Sequence, residues 1–157
     1  MKLLDVLARA CALVAGALLT VITLMVCASL IGRNTSGWTM VGDFELTASA
    51  AGAAIALFLP LAQLRGHNII VDFFTMKASD SAKALMDRCG AALLGLVMAL
   101  LAWRSAIGGL SAWQSGSGSM MLGFPEWVVY CGIVPPLALT AVIGLTQAVL
   151  GVEEERA

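Results

Sequence analysis

Charge is what this sequence has least of. Asp, Glu, Lys and Arg make up 12% of its 157 residues, about half the share usual in a soluble domain. With 60% hydrophobic residues and a mean hydropathy of +0.93, too little polar surface remains to cover a water-soluble globule. The class is membrane protein. Histidine occurs once, which excludes a bis-histidine haem and a histidine-rich zinc site. Cysteine occurs four times, at Cys11, Cys27, Cys89 and Cys131, without C-x-x-C spacing. Those thiols suit packing as small hydrophobes and argue against a redox enzyme. No Asp, Glu, Lys or His falls inside the long apolar stretches, where proton relays and ion-coupled carriers normally display such groups. The chain is expected to be no enzyme, to hold no metal or cofactor, and to bind no nucleic acid.

What is present is a set of four apolar stretches. They are Ala10 to Ile31, Leu46 to Leu64, Cys89 to Trp113 and Trp127 to Leu150, with Arg104 the one charge inside them. A helix needs about 20 apolar residues to cross about 30 Å of hydrocarbon. Lipid offers the backbone no hydrogen-bond partner, so each stretch must cross as a helix. The expected fold is all-α and integral to the membrane, a single domain with spans near 10–31, 44–64, 87–110 and 126–150.

Orientation follows from the basic residues. Lys2, Arg9, Arg65, Lys77, Lys83, Arg88 and Arg156 fall on one side, and Arg33 and Arg104 on the other. The richer side is expected in the cytoplasm. Both termini and the turn 65–86 should then lie inside, and the loops 32–43 and 111–125 outside. Lys2, Arg9 and the Val26-Cys27-Ala28 triplet also resemble a signal peptide. The apolar run between them exceeds the usual length of such a peptide, so a retained span is expected.

Small residues fall in register on the second and third helices. Ala48, Gly52 and Ala56 lie four apart on one, and Ala91, Gly95 and Ala99 on the next. Such faces let backbones approach closely in lipid, and tight packing between these two helices is expected. Asp43 and Glu45 open the second span, where carboxylates can accept from free amides and favour the positive end of the helix dipole. Capping is expected of both, with docking of a partner as the alternative. Pro125 suits the first turn of the fourth helix, while Pro135 and Pro136 should bend it.

Arg104 would cost roughly 3 kcal/mol at the centre of a bilayer. Counted from Arg88 it stands about 24 Å up its helix. Snorkelling to the outer headgroups is expected, with pairing to Glu126 or Glu45 as the alternative. Between the second and third spans, Ile69, Ile70, Phe73, Phe74 and Met76 recur at helical intervals opposite Asn68, Asp72 and Thr75. That pattern predicts a short amphipathic segment lying in the cytoplasmic interface, its apolar side among acyl chains, with a turn of loop packed under the bundle as the alternative.

Three motifs carry a family resemblance. "VGDFEL" at 41–46 precedes a span, "LPLAQLRGHNIIVDFFT" at 59–75 follows it, and "GFPEWVVY" at 123–130 opens the last. Together with length, four spans and orientation they resemble the small membrane subunit, DctQ type, of tripartite ATP-independent periplasmic (TRAP) transporters. The family pattern places His or Asn four before the Asp of Val-Asp. Here Asn68 stands four before Asp72 and His67 five before it.

The resemblance implies a multi-pass protein of the bacterial inner membrane and a division of labour in uptake of an organic acid. A periplasmic solute-binding protein (DctP type) captures the substrate, and a large membrane subunit (DctM type) moves it with sodium. The small subunit would be a non-catalytic scaffold that braces the large one and helps dock the binding protein. Arg65, His67 and Lys77 would then sit near lipid phosphates, with Asp72 capping a helix or pairing with one of them. Arg33, Asp43, Glu45 and the segment 111–123 would face the binding protein, with Pro125, Trp127 and Arg104 as further interface candidates. A self-sufficient homo-oligomeric transporter or channel is the alternative function.

Overall fold

The computed structural model describes residues 2–35, 37–38, 41–66 and 80–150. The expected amphipathic segment, with His67, Asn68, Asp72 and Lys77, lies outside the described residues. Four helices account for almost everything described: α1 (Lys2–Thr35), α2 (Asp43–Leu64), α3 (Asp80–Ser115) and α4 (Glu126–Leu150). All four are long and apolar enough to cross a membrane.

Local chemistry sets where the helices stop. α3 ends in a double backbone lock. The Gly116 amide donates to the Trp113 carbonyl at 3.4 Å and the Ser117 amide to that of Ala112 at 3.3 Å. Gly116 holds φ +64° there, a left-handed turn that glycine adopts without strain. α4 runs unbroken through Pro135 and Pro136, and α2 contains the fully buried Pro60 near its end.

α1 buries Ala8, Ala15, Ile22 and Ser29. These recur every seventh residue, so one seam faces its neighbour along the whole length, as in a shallow left-handed crossing. That neighbour is α2. α4 in turn packs on α2 by one side and most extensively on α3 by the other, while α1 only brushes α4. The helices therefore stand in a row, in the order α1, α2, α4, α3, and the row does not close on itself.

This order corrects one expectation. Among the described residues α2 and α3 make no contact, because α4 stands between them. The small face of α3 is used, but by α4. A Cβ built on Gly95 would lie 2.9 Å from the Leu145 amide nitrogen and 3.2 Å from the Ala141 carbonyl oxygen. One built on Gly144 would lie 3.0 Å from the Gly95 Cα and 3.1 Å from the Ala91 carbonyl oxygen. Two backbones touch there, which only a pair of glycines permits. On α2, Ala48 is exposed, a side chain at Gly52 would meet open space, and Ala56 alone of the three is buried. Ala99 is exposed as well. Neighbours in sequence share small residues without sharing a contact.

Candidate functional site

The residues that tie elements together gather at the two ends of α2. At its first turn, Asp43 accepts a hydrogen bond of 2.7 Å from the Ser29 hydroxyl of α1. Two residues on, Glu45 reaches across to the loop between α3 and α4. Its Oε1 accepts from the Met121 amide at 3.0 Å, and its Oε2 from the Leu122 amide at 3.4 Å. Neither acid caps its own helix: the cap is Gly42, with no side-chain bond. The reason is steric as much as electrostatic. Gly42 holds φ +80°, and a Cβ there would run into the Leu122 side chain. The loop thus lies against the start of α2 and takes the carboxylate that a free helix end would keep.

The loop is a small closed turn in its own right. Ser119 donates its amide to the Phe124 carbonyl at 2.9 Å, and Gly123 donates back to Ser119 at 3.0 Å. Glu126 donates its amide to the Ser117 carbonyl at 3.2 Å, and its carboxylate accepts from the Ser117 hydroxyl at 3.3 Å. Pro125 stands one residue before α4, paired with Gly118 in an isolated bridge, and its carbonyl accepts the first bond of the helix, from the Val128 amide at 3.2 Å. Trp127 packs edge to face on Trp113, ring centroids 4.6 Å apart. Below them an open apolar groove of about 520 Å³ runs between α3 and α4, bordered by Gly109, Tyr130 and Val134.

Glu45→Ala should release this turn. Amide exchange at Met121 and Leu122 should rise several-fold while exchange in the middle of α4 stays as it is. Unchanged exchange at both amides would show that the carboxylate does not hold them.

The far end of α2 carries a contact absent from the expectations. The Gln63 side-chain amide donates to Gln147 Oε1 at 2.8 Å. Gln147 Nε2 donates in return to the Gln63 carbonyl at 3.0 Å and the Leu64 carbonyl at 3.4 Å. Both side chains are buried. Two uncharged amides inside apolar spans were the signal, each near the end of its helix. Attention to ionisable groups alone passes over them.

The remaining candidates do not converge. Arg33, Arg65 and Arg104 are all exposed. Arg104 pairs with neither Glu45 nor Glu126, and among the described residues the one ion pair joins Arg9 to Asp5 at 2.9 Å. The arrangement is one of surfaces and clasps.

Comparison with curated proteins and with solved structures found no match. A family model, described as "Tripartite ATP-independent periplasmic transporters, DctQ component", matches residues 22–154. That range takes in all three motifs that carry the resemblance, three whole helices, and α1 from Ile22 onward. The chain belongs to the DctQ component family of TRAP transporters, multi-pass proteins of the inner membrane.

Proposed function

We propose that the chain is a non-catalytic brace for the large, sodium-coupled subunit of its transporter. In this role it also presents a periplasmic surface to the binding protein during uptake of an organic acid. Both termini lie in the cytoplasm, and the loop 111–125 lies in the periplasm with Arg33. The row of helices is the observation that carries this reading. A row that does not close leaves two broad faces along which helices of another subunit can pack without displacing a contact within the chain. Its described interior holds a glutamine pair and no ionisable side chain. That composition suits bracing better than ion passage.

Reconstitution tests it directly. Liposomes holding this chain together with the large subunit and the binding protein should take up substrate, and liposomes holding this chain alone should not. Uptake by the chain alone would establish the homo-oligomeric transporter instead.

Docking is tested at Arg33, because Glu45 is already engaged by the loop. Arg33→Glu should slow uptake without loosening the membrane complex. Equal uptake rates at limiting binding protein would remove Arg33 from the docking surface.

A further inference from the structure

We infer that Arg104, partway along α3 on the side turned from α4, meets a carboxylate of the large membrane subunit inside the bilayer. The inference rests on the assembly proposed above and deepens it.

Depth is the first consideration. Glu126 opens α4, and its carboxylate must stand at the headgroup level or beyond it. Trp127 adjoins it and touches Trp113, so the end of α3 stands near that level too. Arg104 lies nine residues before Trp113, about 13 Å down the helix, where half the hydrocarbon thickness is about 15 Å. Its Cα–Cβ bond tilts toward the N-terminus of α3, away from the nearer interface. Snorkelling would have to double back against that direction.

Charge is the second. Glu45 accepts from the amides of Met121 and Leu122, and Glu126 from the Ser117 hydroxyl. Arg104 forms no ion pair with either. At such depth, with no counter-charge paired to it among the described residues, a guanidinium gains most from an anion brought from outside. Lipid phosphate lies most of a leaflet away. A carboxylate on a neighbouring membrane helix can stand at the same depth and take two parallel hydrogen bonds from the guanidinium fork.

The face is the third. Nine residues, or about two and a half turns, separate Arg104 from Gly95, so the two point to opposite sides of the helix. Gly95 lies against α4, and Arg104 is exposed. Around it α3 displays Leu93, Val97, Leu100 and Ile107, all exposed. The spacing makes one apolar stripe with a single cation in it, and α3 is the end of the row. A membrane helix with one acidic residue complements that stripe.

The test uses the chain expressed together with its large subunit. Wild type and Arg104→Lys should both recover the large subunit on purification. Arg104→Leu should lower recovery about tenfold or more, because it strands the partner's carboxylate, and Arg104→Glu should lower it further. Full recovery with Arg104→Leu overturns the inference. A photo-cross-linker at Leu100 leaves the arginine intact, so it decides the matter even if the variants insert poorly. Adducts with the large subunit support the pairing, and adducts confined to phospholipid overturn it. Failure of the wild-type chain to bring down any large subunit would instead sink the assembly itself.

Discussion

Replacing Gly144 by leucine should separate α3 from α4 and abolish recovery of a monodisperse, folded chain. The site has no slack. A single Cβ at residue 144 already comes within 3.0 Å of the Gly95 Cα and 3.1 Å of a backbone carbonyl, and backbone atoms of two helices cannot give way as a side-chain tip can. Gly144→Ala should therefore destabilise by about 1–3 kcal/mol, the usual cost of overpacking. Its melting midpoint in detergent should fall accordingly. Gly52→Ala provides the contrast. Nothing lies within 4 Å of a Cβ at that position, and alanine favours a helix over glycine by about 1 kcal/mol. The midpoint should stay or rise. If Gly52→Ala were the more damaging of the two in the isolated chain, α2 and α3 would have to be neighbours and the row would be wrong.

Gln147→Leu should destabilise the chain by opening the join between the ends of α2 and α4. Removing Gln147 takes away the acceptor for the Gln63 amide and the donor for two carbonyls at the end of α2. Loss of buried hydrogen bonding costs about 1–3 kcal/mol, and Gln147→Leu should lose about that much. The loss in the double variant with Gln63→Leu should be smaller than the sum of the two single losses, since residues that share a bond do not add. Melting midpoints of the three variants, taken in one detergent, check both statements. Strictly additive losses would show that the pair is not formed.

The fold class could be read from the sequence because it depends on little. Four long apolar runs leave no alternative to spanning helices, and only the residues at their ends were open to question. Which helix touches which depends on more. The register of Ala48, Gly52 and Ala56 is real, yet Gly52 faces open space. Close approach requires matched small residues on both helices at one depth, and Gly144 is what supplies the match to Gly95. Glu45 shows the same limit at the loop end. Its first-turn position suits capping, but the amides of Met121 and Leu122 become rivals for its oxygens only when the fold brings them near. The glutamine clasp was legible in part. Two amides in apolar spans announce a partner, though not which one.

The four helices also differ in length in a way that follows their order in the row. The outer ones, α1 and α3, have 34 and 36 residues, and the inner ones, α2 and α4, have 22 and 25. At 1.5 Å per residue the inner pair measure about 33–37 Å, close to the hydrocarbon thickness, while the outer pair exceed 50 Å by roughly the same rule. Asp5, Arg9, Lys83 and Arg88 stand on the overhanging starts of the outer helices. The inner pair alone must then match the bilayer, and the outer pair act as stilts whose charged feet fix its vertical position. A thicker or thinner membrane would load α2 and α4 first. Hydrophobic mismatch would be felt at the middle of the slab, not at its edges.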